Sequence, residues 1–336
     1  CEWSANTFAK KSVTREALPI TYYYSLNMAK KVLVATEKPF AKKAVDGIRE
    51  VVEKAGYELK MLEKYTDKAQ LLEAVADVDA LIIRSDKVTA EVLAAAKNLK
   101  IVVRAGAGYD NVDLNACSER GIVVMNTPGQ NSNAVAELAI GLMIMMARNC
   151  YTPGTGSEIN GKRLGIHAYG NVGRLVGRYG KAMGMSVKAF DPFITDDKVF
   201  EADGVEAVHS IEELYSSCDY VSVHIPATDA TRRSIGYELL SKMPAGATII
   251  NTARKEVIDE EGLVKILSER TDLKYATDIA ADCQAELTEK FGTRTFATPK
   301  KMGAETKEAN INAALAAARQ IVGYLTEGCT RFQVNK

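Results

Sequence analysis

The stretch LGIHAYGNVGRLVGRYGKAMGMSVKAFD, residues 164–191, decides how the rest of the chain is interpreted. It reads as an apolar strand, a glycine-rich turn, a helix and a second apolar strand that ends on an acid, Asp191. Gly170 and Gly173 are the last two glycines of a G-x-G-x-x-G turn, and Ala168 stands at the position of the first. This order of elements predicts a βαβ unit of the Rossmann type.

The same stretch predicts a dinucleotide site. Gly170 would let the backbone approach a pyrophosphate, and Gly173 would let the helix pack closely on its strand. The helix N-terminus, at Asn171 and Val172, would offer N–H groups to the anion. Asp191 is close to the spacing at which a carboxylate meets the adenosine ribose hydroxyls, and it would repel a 2′-phosphate. The predicted cofactor is therefore NAD rather than NADP. The alternative is a turn that serves packing alone.

Composition and charge exclude several classes of function. The chain has 336 residues, enough for two domains, and its 43 Lys and Arg balance its 43 Asp and Glu. No overall field would therefore attract nucleic acid or an anionic membrane. Six cysteines are scattered without a C-x-x-C pair, which predicts reduced thiols in the cytoplasm and no metal site. The longest apolar run, residues 134–147, is too short to span a bilayer.

The order of strands and helices predicts the fold class. Residues 1–27 show no sustained periodicity and no signal-peptide core, so we expect a disordered extension and folded structure from about Met28. From Lys31 short apolar strands alternate with helical stretches, and the pattern resumes after Asp191. Such alternation predicts parallel sheets with right-handed crossovers. We expect an α/β protein with two Rossmann-like, doubly wound parallel-sheet domains and a cleft between them.

Helix boundaries follow from periodicity and capping residues. Outside residues 164–191, the predicted helices cover residues 39–55, 67–75, 89–96, 112–119, 134–147, 211–217, 237–242, 260–269 and 305–325. Thr89 is expected to cap the third of these, and Asn131 or Ser132 the apolar helix 134–147. Because that helix is apolar nearly all round, it should be buried between domains or at a subunit interface.

Basic residues follow two neighbouring strands of the first sheet. IIRSDKVT places Arg84, Ser85 and Lys87 just past one strand, and VVRAGAGYDNVD places Arg104 and the loop 106–111 past the next. Ligands of such sheets bind beyond the carboxyl ends of the strands. Paired arginines there favour a carboxylate or phosphate, although each could also be a solvated surface arginine. GAGYDN lacks the third glycine and the terminal acid, so we interpret it as a substrate loop.

Six motifs give the chain a family resemblance. At NTPGQNSNAVAE, AYGNVG, FDPF, HIPATDAT, NTAR and TPKKMGAET it resembles the D-isomer-specific 2-hydroxyacid dehydrogenases, from about Met28 to the end. The resemblance implies a homodimer whose subunit has a substrate domain, residues 28–128 plus 304–336, and an NAD-binding domain, residues 129–303. RSDKVT, VVRAGAGYDNVD and VMNTPGQNSNA look most like the members that act on D-3-phosphoglycerate. The regulatory domains of longer members are expected to be absent.

The resemblance also implies roles for single residues. In this family a base takes the proton of a secondary alcohol while the C2 hydride passes to the nicotinamide. Arg254 of NTAR matches the arginine that pairs with the substrate carboxylate and polarises the C2 oxygen. Asp278 matches the acid near the nicotinamide carboxamide, and Thr252, His224 and Pro226 match the loops lining the nicotinamide pocket. Substrate binding would involve Arg84, Ser85, Lys87, Arg104, Gly106, Gly108 and Asn131.

The chain departs from the family at the acid–base residue. Where the family has histidine in T-P-H-x-G-G, this chain has Thr298-Pro299-Lys300-Lys301-Met302-Gly303, and anchoring on Met302-Gly303 puts Lys301 in the place of the histidine. The position of the partner glutamate is Cys283. A free lysine has a pKa near 10.4, and a shift of about three units, roughly 4 kcal/mol, is within what burial and nearby positive charge produce. We expect Lys301 to be the acid–base; the alternatives are Lys300, or two phosphate-binding lysines with proton transfer through water.

Three functions follow as hypotheses. The first is NAD-dependent oxidation of D-3-phosphoglycerate to 3-phosphohydroxypyruvate, which begins serine synthesis. The second is reduction of an unphosphorylated 2-keto acid such as glyoxylate or hydroxypyruvate. The third is a non-catalytic NAD-sensing protein, which the missing His–Glu pair keeps open.

Overall fold

A computed structural model describes residues 29–336, and the expected N-terminal extension, residues 1–27, lies outside this range. The described chain divides into two compact units. Unit 1 comprises residues 29–130 together with Asn310–Lys336, and unit 2 comprises Asn131–Ala309. Unit 1 is therefore discontinuous in sequence, whereas unit 2 is a single segment.

Unit 1 is built on a five-stranded parallel sheet. Its strands are β1 (Lys31–Thr36), β2 (Glu58–Glu63), β3 (Ala80–Ile83), β4 (Ile101–Arg104) and β5 (Val123–Asn126). They lie in the order β2-β1-β3-β4-β5, so the direction of winding reverses between β1 and β3. The helices are α1 (Lys42–Lys54), α2 (Lys68–Ala74), α3 (Ala90–Ala95), α4 (Leu114–Glu119) and, at the C-terminal end of the chain, α12 (Lys307–Glu327).

Alternation along β1 shows why both faces of this sheet are covered. Val32 and Val34 are buried on one face with apolar residues of α1 and α12, such as Ile48 and Ile321. Leu33 and Ala35 point to the other face and pack with α2, α3 and α4. Because successive strand residues alternate between faces, a continuous apolar strand needs helices on both sides.

Unit 2 has a seven-stranded parallel sheet. Its strands are β6 (Arg163–His167), β7 (Ser186–Phe190), β8 (Glu206–Ala207), β9 (Tyr220–Val223), β10 (Thr248–Asn251), β11 (Lys274–Thr277) and β12 (Thr295–Ala297). The order β12-β11-β10-β9-β6-β7-β8 reverses between β6 and β9. Its helices are α5 (Ser132–Ala147), α6 (Asn171–Ala182), α7 (Lys198–Glu201), α8 (Ile211–Ser217), α9 (Tyr237–Leu240), α10 (Glu260–Glu269) and α11 (Gln284–Phe291).

Two helical layers cover this sheet. α5 and α6 pack on one face, where Met143 and Val176 meet Ile166 of β6. α8, α9, α10 and α11 pack on the other, where Leu214 and Leu263 are fully buried. The apolar helix α5 thus finds its packing partners inside unit 2. Two doubly wound parallel sheets confirm the predicted fold class.

Several predicted boundaries and caps were wrong. α1 begins at Lys42 rather than Pro39, because the backbone is still extended at Ala41. Thr89 occupies the N-cap of α3, but its hydroxyl makes no hydrogen bond to the helix. Asn131 occupies the N-cap of α5 without a side-chain hydrogen bond, and Ser132 belongs to the first turn.

Two helices of unit 2, α7 and α11, were not predicted. In α11 only Leu287 and Phe291 are buried, and in the four-residue α7 only Phe200. A periodic apolar signal needs two or three turns to stand out, so neither segment carries one.

Among residues 29–336, no helix combines the length and apolar character that crossing a bilayer requires.

Candidate active site

The glycine turn after β6 has the geometry that its sequence predicts. Ala168, at the position of the missing first glycine, has φ +78°, in the left-handed region that favours glycine. A Cβ added to Gly170 would meet nothing within 4 Å, so the backbone is open to a ligand there. A Cβ added to Gly173 would lie 2.2 Å from the Ala168 carbonyl oxygen, which explains why helix and strand can pack so closely.

Asp191 is held beside this turn by two backbone donors. Its Oδ2 accepts the N–H of Tyr169 at 2.9 Å, and its Oδ1 accepts the N–H of Phe193 at 3.0 Å. A carboxylate offers about four acceptor sites, so it can still accept hydroxyl donors. α6 has no side-chain cap, so no side chain claims the N–H groups of its first turn.

A buried tyrosine that was not singled out from the sequence packs beside this turn. Tyr169 is buried and donates its hydroxyl to Asp203 Oδ2 at 2.9 Å. Arg174 lies 5.2 Å from the centre of the Tyr169 ring and pairs with Asp203 at 3.5 Å. Burial raises the pKa of Tyr169, so its hydroxyl stays a donor at neutral pH.

The carboxyl ends of β9, β10 and β11 carry buried polar atoms that the described residues leave without a hydrogen-bond partner. They include both ring nitrogens of His224, Oγ1 of Thr252 and Oδ1 of Asp278. An unsatisfied buried polar group costs about 1–3 kcal/mol, so a set at one sheet edge points to a polar ligand. Burial lowers the pKa of His224 to about 3, so the imidazole is neutral. Pro226 is exposed two residues further on. These residues and the open glycine turn fit a dinucleotide.

The N-T-A-R segment after β10 is folded by its own asparagine. Asn251 is buried, donates Nδ2 to the Arg254 carbonyl at 2.9 Å and accepts the N–H of Ala253 at 3.0 Å. Arg254 Nη1 donates back to the Ala253 carbonyl at 2.9 Å. Asn251 was not singled out from the sequence, although it fixes the turn that presents Arg254.

The structure separates the two candidate lysines. Lys301 Nζ donates to the carbonyl of Ala253 at 3.4 Å, the same carbonyl that Arg254 uses. Lys300 is exposed, and its carbonyl accepts the Thr298 hydroxyl at 2.6 Å. Both lysines are exposed, and Lys301 is the one whose ammonium group shares a carbonyl acceptor with Arg254.

Asp278 completes this group. It is fully buried, and its Oδ2 accepts the N–H of Gly303 at 2.8 Å. Burial raises the pKa of Asp278, while the positive charges of Lys301 and Arg254 act in the opposite direction. A guanidinium, an ammonium and a buried carboxylate thus lie together at the carboxyl edge of the sheet.

The residues near the expected partner glutamate are engaged elsewhere. Asp282 forms an ion pair with Lys255, and Glu286 pairs with Lys290 at 2.7 Å. Cys283 donates its backbone N–H to Glu260 Oε2 at 2.9 Å, and burial raises the pKa of its thiol to about 12. Cys283 is therefore a neutral thiol, and it cannot act as the anionic partner of a base.

In unit 1 some predicted phosphate-binding residues are exposed, whereas Arg84 is hydrogen-bonded to other residues of the unit. Ser85 and Lys87 are exposed. The Arg84 guanidinium donates to Asn310 Oδ1 at 2.6 Å and to the carbonyls of Lys38 and Pro39 at 3.3 and 3.4 Å. Arg84 therefore holds its own unit together as well as offering charge.

The loops after β3 and β4 are tied to each other. Arg104 Nε donates to the Arg84 carbonyl at 3.0 Å, and Asn111 Nδ2 donates to the Asp86 carbonyl at 2.7 Å. Gly106 has φ +148°, and a Cβ there would lie 1.4 Å from Arg104 Nη1, so the guanidinium lies across this glycine. Gly108 is half-buried in the same loop.

A buried carboxylate that the sequence did not single out anchors the loop 84–87. Asp86 accepts the Tyr65 hydroxyl and the N–H of Glu37, both at 2.8 Å.

In unit 2, Asn131 is half-buried at the start of α5. Across residues 29–336, no three His, Cys, Asp or Glu side chains group as a metal site would require.

Comparison with known proteins identifies the group of enzymes that this chain resembles. The profile of the D-isomer specific 2-hydroxyacid dehydrogenase catalytic domain matches residues 33–335. A solved structure of NAD+-bound 3-phosphoglycerate dehydrogenase from Entamoeba histolytica is 50% identical, with a TM-score of 0.82, over 92% of this chain and 99% of that one.

Curated relatives agree in class but differ in named activity. D-3-phosphoglycerate dehydrogenase from Methanocaldococcus jannaschii is 37% identical over 268 residues, 76% of this chain and 51% of that protein. Hydroxypyruvate reductase from Thermotoga maritima is 39% identical over 220 residues, 61% of this chain and 70% of that protein. The chain spans about half the length of the M. jannaschii relative.

Proposed function

Because the chain belongs to the family of D-isomer specific 2-hydroxyacid dehydrogenases, we propose that it oxidises D-3-phosphoglycerate to 3-phosphohydroxypyruvate with NAD. The 50% identity to an NAD+-bound 3-phosphoglycerate dehydrogenase supports this substrate and cofactor. The observation that carries the proposal is that Arg254 and Lys301 donate to one carbonyl, that of Ala253. Oxidation of a 2-hydroxy acid requires a cation for the substrate carboxylate, assigned to Arg254, and a base for the C2 hydroxyl, assigned to the Lys301 amine.

The proposed cofactor site follows the edge of the second sheet. Gly170, Asn171, Val172 and Gly173 bind the pyrophosphate through backbone N–H groups, and Asp191 accepts the ribose hydroxyls. The unpaired polar atoms of His224, Thr252 and Asp278 bind the nicotinamide end, beside Pro226. NAD, when bound, supplies the hydride acceptor.

The chain's own residues perform the acid–base step. Arg254 pairs with the substrate carboxylate and polarises the C2 oxygen. Neutral Lys301 takes the proton of the C2 hydroxyl as the C2–H bond breaks and the hydride leaves. Because Lys301 is exposed, it can then pass that proton to water.

The substrate phosphate is assigned to the basic loops of unit 1. Ser85 and Lys87 are exposed and offer a hydroxyl and an ammonium, and the guanidinium of Arg104 lies over Gly106. Arg84, Gly108 and Asn131 belong to the same proposed set. If Arg104 binds the phosphate, Arg104→Gln should raise KM for D-3-phosphoglycerate more than tenfold and leave kcat within a few-fold.

The acid–base assignment is tested by a matched pair of lysine variants. NADH absorbance at 340 nm, with saturating D-3-phosphoglycerate and NAD, should show kcat reduced about 10²–10⁴-fold in Lys301→Ala, the range typical of a lost general base. Lys300→Ala should retain activity, because Lys301 is the lysine that donates to the carbonyl used by Arg254. Equal activity in both variants would contradict the mechanism but not the fold.

A second candidate is reduction of a 2-keto acid without phosphate, favoured by the T. maritima hydroxypyruvate reductase. Turnover of glyoxylate or hydroxypyruvate with NADH at higher kcat/KM than 3-phosphohydroxypyruvate would favour it. NAD binding without turnover of any 2-hydroxy or 2-keto acid would instead favour the NAD-sensing hypothesis. The predicted homodimer and cytoplasmic location also belong to the proposal. Light scattering of the purified chain measures its oligomeric state.

A further inference from the structure

We propose that Asp278 is the positioning residue of the acid–base: its carboxylate holds the turn that carries Lys301 and sets the charge state of that lysine. This inference rests on the proposed function. It adds a role for Asp278 that is separate from contact with the nicotinamide.

The carboxylate is built into the turn. Asp278 Oδ2 accepts the N–H of Gly303 at 2.8 Å. A Cβ on Gly303 would lie 2.7 Å from the same oxygen. The turn can therefore approach the carboxylate only because residue 303 has no side chain.

A second tether closes the other side of the turn. The Thr298 N–H donates to the carbonyl of Thr277 at 3.1 Å, and the Thr298 hydroxyl lies 2.9 Å from the carbonyl oxygen of Asp278 and 2.6 Å from that of Lys300, so its one proton is shared between these two acceptors. The residues on both sides of Lys301 are thus fixed to Thr277 and Asp278. Displacing Asp278 would displace the ammonium group from the Ala253 carbonyl.

The negative charge of Asp278 also acts on the charge state of Lys301. The charged groups that act on it are Lys301, from the turn after β12, and Arg254, from the segment after β10. The α5 side chain nearest to a Cβ at Gly303 is the uncharged Val135, at 3.2 Å. An ionised Asp278 favours the ammonium form of Lys301, and Arg254 favours the neutral form, so loss of either charge should shift the pH at which Lys301 becomes a base.

The experiment compares two carboxylate-to-amide variants of the full chain. Asp278→Asn keeps an acceptor for Gly303 N–H but removes the charge, so the acidic limb of kcat/KM for D-3-phosphoglycerate should move about one unit to lower pH, the size expected for losing a nearby opposite charge. Asp282→Asn removes a carboxylate that is 80% exposed and paired with Lys255, and its pH profile should match the wild type.

A third variant isolates the tether. Gly303→Ala should lower kcat at least tenfold, because the Cβ pushes the turn off the carboxylate, while the Kd for NADH from fluorescence titration stays within twofold. Circular dichroism confirms that each variant is folded. Wild-type kcat in Gly303→Ala would overturn the inference.

The failure of this inference is distinguishable from failure of the proposed function. If the wild type turns over D-3-phosphoglycerate but Asp278→Asn leaves the acidic limb unmoved, or only raises the Kd for NADH, the positioning role is wrong. If the wild type binds NADH but turns over no D-3-phosphoglycerate, the proposed function is wrong instead.

Discussion

A methyl group added at residue 173 or at residue 170 should have opposite consequences. In Gly173→Ala the Cβ would meet the Ala168 carbonyl at 2.2 Å and Ile166 Cγ2 at 2.9 Å, so backbone must shift. We expect a loss of stability of about 1–3 kcal/mol, as for other overpacked sites. Urea denaturation measures it.

Gly170→Ala should leave the stability of the fold unchanged and weaken the binding of NAD. Gly170 has φ −83°, which alanine adopts readily, and no atom lies within 4 Å of the added Cβ. The methyl group would instead occupy the space through which a pyrophosphate approaches. NAD affinity equal to the wild type in a folded Gly170→Ala protein would contradict the cofactor site.

Removal of one hydroxyl should weaken the loop 84–87. Tyr65→Phe leaves the Asp86 carboxylate without one of its buried donors, which should cost about 1–3 kcal/mol of unfolding free energy. Burial raises the pKa of Tyr65, so its contribution is full below about pH 10 and is lost as the pH rises further. Tyr57→Phe is the control, since the Tyr57 hydroxyl makes no hydrogen bond within residues 29–336 and its backbone N–H, bonded to the Val52 carbonyl, is kept; equal losses in both variants would contradict the role of Asp86.

Single residues were predicted unevenly from the sequence, for physical reasons. Gly173 and Asp191 lie in one short motif whose spacing fixes their roles. Asp86 and Tyr65 are 21 residues apart, and only the fold brings them together. The two lysines at 300 and 301 could not be separated from spacing alone, because the turn decides which one faces the Ala253 carbonyl.

Among the helices, the N-cap residues Asp67 and Thr89 should contribute very different amounts to stability, although both residue types are preferred at N-caps. Asp67 accepts the N–H of Ala69 and forms a capping box with Gln70, whereas the Thr89 hydroxyl is buried without a partner. Asp67→Ala should therefore destabilise unit 1 by about 1 kcal/mol, the usual value of an N-cap. Thr89→Ala should be close to neutral. Urea midpoints compare them, and a larger loss in Thr89→Ala would show that the capping assignment is reversed.

Element order was predictable and element ends were not. Apolar strands such as β1 and the amphipathic α6 carry their own signal along several turns or pleats. α11 carries too few buried residues to be recognised. Pro39, a common first residue of a helix, is followed by extended backbone at Ala41.

For the whole molecule, buried histidines predict acid sensitivity. Burial lowers the pKa of His167 from its usual 6.5 to about 4. Its stabilisation is therefore complete above pH 6.5 and is lost as the pH falls toward 4, by about 3 kcal/mol at 1.36 kcal/mol per pH unit. His167→Asn should reduce the dependence of unfolding free energy on pH in this window by the share of His167, while the share of His224, whose pKa burial lowers to about 3, remains.

The matched control is His209→Asn, because the His209 side chain is 75% exposed. This variant should follow the wild type at every pH. A wild-type slope in His167→Asn would assign acid sensitivity to other groups, such as the carboxylates that form ion pairs.

The class of the whole molecule followed from alternation of strands and helices, because a parallel sheet needs a crossover between its strands. How the C-terminal helix joins the first sheet did not follow from local pattern. An alanine-rich helix such as α12 has an apolar stripe that many sheets could accept; the fit of Leu315 against Gly47 selects this one.

The split of unit 1 has a consequence for synthesis on the ribosome. The face of the first sheet around Val32, Val34 and Ile82 is covered by Ala314, Ala318 and Ile321, which emerge more than two hundred residues later. Unit 2, a single segment, can complete its core while translation continues. The first domain to be translated is thus the last to be finished, and its uncovered apolar face is the surface that a chaperone would meet on the nascent chain.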